Sequence, residues 1–309
     1  MLKSSIRASR TISVLAVVSL AIVASACSSS PKSSSKASGL PSQVIATEDP
    51  EPGIVKLVPA AIASKGTLTI ATDATYPTAE FVAPDKSLVG MDIDLGRALA
   101  QVMGLKAVFQ NATFDTIIPG VQSQKFDMGL SSFTDTAARE TIVDFVNYYQ
   151  AGEAFYVKSG STVKFSDLNS LCGRSVAVES GTTEQTDAQT QDKTCKAAGK
   201  TGVKVLSFAD QSQTNLAVSS GRADVGFVDS PVAVYITTSS KGQFSLSGKF
   251  FGFAPYGIAL PKGNGMTAPV KAALNQLIAS GTYAQILKKW GMQGGSIAHV
   301  TINGAGSGL

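Results

Sequence analysis

One pattern occurs twice in this chain, about a hundred residues apart. The stretch from Val121 to Ser132 and the stretch from Val218 to Asp229 each read as a helix end, then a polar turn carrying one cation (Lys125, Arg222). An aspartate follows (Asp127, Asp224), then a short apolar strand that stops on polar residues. A helix delivered into a short strand through a tight turn is the unit of an α/β fold with mostly parallel strands. Two such halves in roughly 240 foldable residues point to two lobes rather than one core. In sheets of this kind ligands sit beyond the carboxyl ends of the strands, so the two stops carry the chemistry.

The first stop supplies hydroxyls, Ser131, Ser132 and Thr134, with Arg139 just behind; the second supplies the carboxylate of Asp229. A cation in one lobe facing an anion in the other suits a zwitterion. Asp135 or Thr136 is placed to cap a helix that would hold Arg139 in its first turn. A cation there is disfavoured by about 0.3–1 kcal/mol. An anion held jointly by the guanidinium and the helix-start N–H groups would offset that cost; a salt bridge to a nearby acid is the plainer alternative. Thr182 and Thr183 open a further helix after the strand Val176–Val178. Thr182 with Gln185 fits a capping box, and the same hydroxyls and N–H groups make a seat for a carboxylate. Asp229 could instead cap the Ser230-Pro231-Val232 turn. Tyr76, just past the first strand, and Phe114 are the aromatic candidates for covering a ligand, although Phe114 fits core packing equally well. Asp73, Glu80 and Glu179 lie where a ligand side chain would end.

The alternation Thr67–Thr72 reads as a strand, as do the segments 175–178 and 203–206. Leu95, Ala98, Leu99 and Val102 form one face of a helix over 92–103, with Gly104 beyond it. Val270, Ala273, Leu274, Leu277 and Ile278 form another, and Tyr283, Ile286, Leu287 and Trp290 a third after Gly281. Segments 153–157 and 256–260 are expected to cross between the lobes, which makes residues 157–252 a second lobe inserted into a first built from 51–156 and 253–293. Residues 294–309, rich in glycine, are expected to form a flexible tail.

The beginning of the chain carries an address. Lys3, Arg7 and Arg10 precede an apolar run from Ile12 to Ala24, with no acid before Cys27. This is a secretory signal pattern, too short for a membrane span. Ala24-Ser25-Ala26-Cys27 resembles a lipobox, in which Cys27 would be acylated after removal of residues 1–26; plain cleavage near Ala26 is the alternative. The Ser-rich segment 27–50 is then a tether. Without residues 1–26, 23 basic residues instead of 26 face 22 acids, and the formal net charge falls from +4 to +1. Nothing in that balance, and no Lys/Arg run with aromatics, calls for nucleic acid. Two cysteines remain, Cys172 and Cys195. In an exported chain an even remainder points to a disulfide, worth roughly 3 kcal/mol for a loop of this length; free thiols are the other reading. With one histidine, His299, neither a metal site nor a Ser-His catalytic set is expected.

Taken together these residues resemble the extracytoplasmic polar amino-acid-binding proteins of ABC importers, the family 3 solute-binding proteins, over about residues 65–292. Gly90-Met91-Asp92-Ile93-Asp94-Leu95 matches the family's Gly-apolar-acid-apolar-acid-apolar signature. Ser131-Ser132-Phe133-Thr134 with Arg139 matches the stretch that binds a ligand's α-carboxylate, and Gly181-Thr182-Thr183 the turn in the second lobe that adds to it. Asp229 falls on the acid that takes the α-ammonium, and Tyr76 on the covering aromatic. Ala79 stands where many members have an aromatic, and Glu179-Ser180 where a glutamine is common, both near the ligand side chain. The resemblance implies a two-lobed, periplasmic-binding-protein-like fold (type II) with two crossing hinge strands. It also implies a free amino acid as ligand, a membrane permease as partner, a monomer held to the membrane by its lipid, and no cofactor. The three acids favour a basic ligand (lysine, arginine or ornithine) over glutamine, glutamate or another polar amino acid. An exported cyclohexadienyl dehydratase-like enzyme is the alternative from another class.

Overall fold

The computed structural model describes residues 40, 41, 45 and 47–305; the expected signal segment and Cys27 lie outside them. In chain order the first helices and strands are α1 (Pro52–Val55), α2 (Ala60–Lys65), β1 (Thr67–Thr72), β2 (Thr75–Tyr76), β3 (Glu80–Val82), β4 (Leu88–Val89), α3 (Met91–Val102), β5 (Lys106–Asn111), α4 (Phe114–Gln122), β6 (Met128–Gly129) and α5 (Ala137–Glu140). A long strand β7 (Val143–Lys158) leads into β8 (Ser175–Glu179), α6 (Thr183–Ala197), β9 (Lys204–Phe208), α7 (Gln211–Ser219), β10 (Val225–Asp229) and α8 (Ser230–Ser239). A second long strand, β11 (Phe244–Pro261), returns to α9 (Thr267–Ser280) and α10 (Thr282–Trp290).

Eight strands form one sheet in the order β5-β1-β6-β11-β7-β10-β8-β9. Its two ends are parallel, β5-β1-β6 and β10-β8-β9, and its middle is the antiparallel pair β11–β7. The repeated pattern of the sequence thus becomes β6 and β10, one on each side of the pair. The crossing segments expected at 153–157 and 256–260 are parts of strands more than twice as long, and register shifts between Ser247 and Gly257 divide the ladder into two stretches.

Each lobe packs both faces of its part of the sheet. In the first, Leu95, Ala98, Leu99 and Val102 of α3 meet α9 and α10 through Val270, Leu274, Leu277, Ile286 and Leu287, all buried against Leu68 and Ile70 of β1. The opposite face is closed by Ile117 and Val121 of α4 with Phe126 and Phe145. In the second, Val176 and Val178 face Ala188 and Cys195 of α6, while Ala177 and Val228 face α7 and α8. Cys172 and Cys195 form a disulfide that ties the far end of α6 to the loop after β7.

Two peripheral expectations are corrected. Of the expected flexible tail, residues 294–305 are described, and they pack: Ile297 and Val300 are buried, and Ile302 pairs with Val146. Glycines remove side chains from that stretch, but its backbone groups still find partners on β7. The end of the expected tether is also docked, with Glu48 N donating to the Gln101 side chain at 3.0 Å and Thr282 donating to the Glu48 carboxylate.

Candidate functional site

The chain segments beyond the ends of β6 and β10 face one another across a narrow cleft. All twelve residues singled out as ligand or specificity candidates line it, and they are joined there by Glu184.

The wall of the first lobe begins where β6 runs on beside β11: Gly257 N donates to Phe133 O, and Asp135 N to Pro255 O, both at 2.8 Å. Ser131 donates to Glu80 Oε1 at 2.8 Å and accepts from Asp73 N at 2.9 Å. Ser132 sits at φ +51°, a left-handed conformation that costs a non-glycine residue about 1–3 kcal/mol. Asp92 holds it there, accepting from Ser132 N at 2.9 Å and from the Tyr148 hydroxyl at 2.9 Å. The Ser132 hydroxyl has no partner among the described residues. Gly90 lets α3 bring Asp92 this close, since a Cβ on it would lie 2.0 Å from Ala79 O.

Thr136 caps α5, accepting from Arg139 N at 3.2 Å. The Arg139 guanidinium donates to Thr134 O at 2.8 Å and Gly181 O at 2.9 Å. It lies 5.6 Å and 5.7 Å from the ring centres of Phe114 and Phe133, which stack at 4.5 Å. Phe114 therefore both packs and faces the cleft. Among the described residues no carboxylate closes a salt bridge with Arg139. With five N–H donors and two carbonyl partners, the guanidinium keeps donors for an incoming anion.

In the second lobe Thr182 caps α6, accepting from Gln185 N at 3.2 Å, while Gln185 Oε1 accepts from Gly181 N at 2.8 Å. Asp229 precedes α8 but makes no capping bond. Its carboxylate accepts from the Tyr76 hydroxyl at 2.8 Å, so the capping alternative is not what the fold uses.

The cleft is short of positive charge. Arg139 faces five carboxyls: Asp73, Glu80, Glu179, Glu184 and Asp229. Burial raises all of their pKa values, because it disfavours the charged form and too little cation stands near to reverse the effect. Asp229 is pushed up to about 6 by burial, against the pull of the Tyr76 hydrogen bond and Arg139. Glu184 is pushed up to about 8 by burial and by Asp229. Glu80 rises through burial and neighbouring Asp92, and Glu179 through burial and Asp73, which faces it from the other lobe. Glu179 is only 3% exposed and so does not point to solvent. One oxygen each of Glu80, Glu179 and Glu184 is buried with no hydrogen-bond partner among the described residues. Arg139 is itself drawn down by burial, yet an arginine stays charged at neutral pH.

Glu184 escaped the sequence reading because an acid in the first turn of a helix is already explained by the helix dipole. Its burial, 2% exposed at the edge of a cleft, is a tertiary fact. The one hint was its place beside Gly181-Thr182-Thr183.

The lobes touch at the mouth. Besides the Tyr76–Asp229 and Arg139–Gly181 bonds, the hydroxyls of Thr134 and Thr183 lie 3.3 Å apart, and Gln211 N donates to Thr75 Oγ1 at 3.2 Å. Gly181, at φ +83°, lies against Asp115, where a Cβ would come within 2.8 Å.

Two lobes joined by a pair of long strands, shut over a polar cleft with a cation on one side and carboxylates on the other, define a two-lobed ligand-binding protein. The sequence comparisons carry this further. The profile of the bacterial extracellular solute-binding proteins, family 3, matches residues 68–293, and the chain belongs to that family. The arginine-binding protein ArgT of Corynebacterium glutamicum is 34% identical over 256 residues, covering 82% of this chain and 84% of that one. An ancestral arginine-binding protein bound to arginine superimposes with a TM-score of 0.66 at 37% identity, over 73% of this chain and 98% of that one. An ancestral amino acid-binding protein described as a precursor of cyclohexadienyl dehydratase gives a TM-score of 0.67 at 33% identity, over 74% and 97%. Among the described residues no helix is long and apolar enough to cross a membrane.

Proposed function

We propose that this protein is the substrate-binding component of an ABC importer, that it captures a free basic amino acid between its lobes, and that it delivers this ligand to a membrane permease. The observation that carries the choice of ligand is the set of five buried carboxyls facing one guanidinium. Arg139, Ser132, Thr134 and the Thr182–Thr183 turn would take the α-carboxylate. Asp229 would take the α-ammonium and Tyr76 would cover the ligand. That leaves Asp73, Glu80, Glu179 and Glu184 for a cationic side chain, which would satisfy their unpartnered oxygens. Glutamate would add a negative charge where four acids already crowd, and glutamine would leave those acids without a counter-ion.

The relatives bear the same stamp, since ArgT is an arginine-binding protein. The dehydratase alternative is not favoured, because no histidine lines the cleft and the relatives are mainly transport binding proteins. The first lobe is taken as 51–156 with 253–293 and the second as 157–252, hinged where the β7–β11 ladder is irregular. Cleavage after Ala26 and acylation of Cys27 would hold a monomer at the outer face of the cell membrane.

Calorimetry with arginine, lysine, ornithine, glutamine and glutamate tests the ligand. Micromolar binding, about −8 kcal/mol, is expected for at least one of the first three. Tight binding of glutamate with none of arginine would overturn the proposal. Mass spectrometry of the membrane-extracted protein tests the anchor, which requires a diacylated or triacylated Cys27.

A further inference from the structure

The last described residues grip the loop that carries Arg139. Thr301 and Asn303 pair with the start of β7: Asn147 N donates to Thr301 O and Asn303 N to Phe145 O, each at 3.0 Å, and the Asn303 side chain accepts from Phe145 N at 2.8 Å. Asn303 then turns the chain at φ +52°. The next two amides land on two acids: Gly304 N donates to Asp135 Oδ2 at 2.7 Å, and Ala305 N to Glu140 Oε1 at 2.8 Å. Asp135 precedes the cap of α5 and Glu140 ends the helix, so the two bonds bracket Arg139 from both sides.

A helix of four residues cannot support itself, because nucleation costs more than one turn of hydrogen bonds returns. The two acids also repel; Asp135 is pushed up to about 6 by burial, with Glu140 adding to the rise. An N–H donor on each carboxyl relieves both problems at once. Of the two carbonyls that hold the Arg139 side chain, Thr134 O is in its own lobe and Gly181 O is in the other. Parting of the lobes would break the second bond and leave the aim of the guanidinium to Thr134 O and the backbone of 135–140.

We propose that residues 301–305 are a strap that positions Arg139 for the ligand's α-carboxylate; this rests on the reading of Arg139 as the carboxylate anchor. The test is a double-mutant cycle on arginine affinity between Arg139→Ala and a truncation after Val300. The truncation alone is expected to weaken binding about tenfold, equivalent to about 1.4 kcal/mol, and to add less than twofold in the Arg139→Ala background. Should the truncated chain not fold, Asp135→Ala takes its place in the same cycle. Asp135→Asn, whose amide oxygen still accepts from Gly304 N, is expected to bind within threefold of wild type. An unchanged affinity after truncation, or an equal loss with and without Arg139, would overturn the strap. Wild type that binds none of the basic amino acids would instead remove the reading of the cleft on which the strap depends.

Discussion

Lowering the pH from 8 to 6 should weaken arginine binding, by as much as about fiftyfold through Glu184 alone. Its carboxyl is pushed up to about 8, because burial and Asp229 disfavour the charged form more than Arg139 favours it. A cationic ligand is attracted to the carboxylate and not to the acid, so binding draws this pKa down. Below pH 8 the protein must then release a proton in order to bind. Well below that value each pH unit costs about 1.4 kcal/mol, and the step from pH 8 to pH 6 about 2.3 kcal/mol, since the carboxyl is already half protonated at pH 8. Glu80 and Glu179, pushed up by burial and by neighbouring Asp92 and Asp73, add to the slope, and Asp229, pushed up to about 6, enters at the lower edge of this window. Calorimetry at pH 6, 7 and 8 reads the slope directly, and repeating pH 7 in buffers of different ionisation enthalpy counts the proton. Glu184→Gln removes one of the titrating carboxyls, so its affinity should be lower than wild type at pH 8 and its loss down to pH 6 clearly smaller than that of wild type. A change of less than threefold in wild type, or a slope as steep in Glu184→Gln as in wild type, would refute the reasoning.

Without ligand, stability should move the opposite way. The folded protein holds protons on Glu184 and its neighbours that the unfolded chain gives up near pH 4.3, so the melting temperature should fall as pH rises from 5 to 8. Saturating arginine should flatten that fall in thermal scans. Arg139→Ala should cost roughly 2–5 kcal/mol of arginine affinity while circular dichroism stays unchanged; an affinity within threefold of wild type would contradict the anchor. Replacing both Cys172 and Cys195 by alanine should lower stability to urea by about 3 kcal/mol and leave arginine affinity within threefold. The bridge holds the end of α6 opposite the cleft, about 18 Å away along the helix. Gly181→Ala places a Cβ 2.8 Å from Asp115. It should weaken arginine binding at least tenfold, with small-angle scattering showing a more extended liganded protein than wild type.

Much of the cleft could be read from sequence because its residues lie at the ends of short apolar strands, where the pattern is local. Ser131, Ser132 and Asp229 each stop a strand, and Thr182 opens a helix, so neighbours a few positions away are enough to place them. The helices of the first lobe were legible for the same reason, from the spacing of Leu95, Leu99 and Val102 or of Ile286, Leu287 and Trp290. The full length of β7 and β11 was not, because Gly152, Gly248 and Gly252 interrupt the apolar run where the ladder shifts register. Strand β5 was not read either, since as a sheet edge it is largely exposed and lacks a strong apolar signal. The strap was hidden for another reason. Thr301 to Ala305 bind through backbone amides and one asparagine, and side-chain composition does not report where a main chain goes.

The strand order has a bearing on how the polypeptide matures. At the middle of the sheet β6 lies between β1 and β11, yet β11 ends more than a hundred residues later, at Pro261. A chain emerging from its N-terminus onward therefore reaches β6 with one edge unpaired, and must wait for almost the entire polypeptide before that edge is covered. The sheet of the first lobe therefore closes only when a strand encoded far along the chain arrives, which makes this pairing one of the most non-local contacts of the fold.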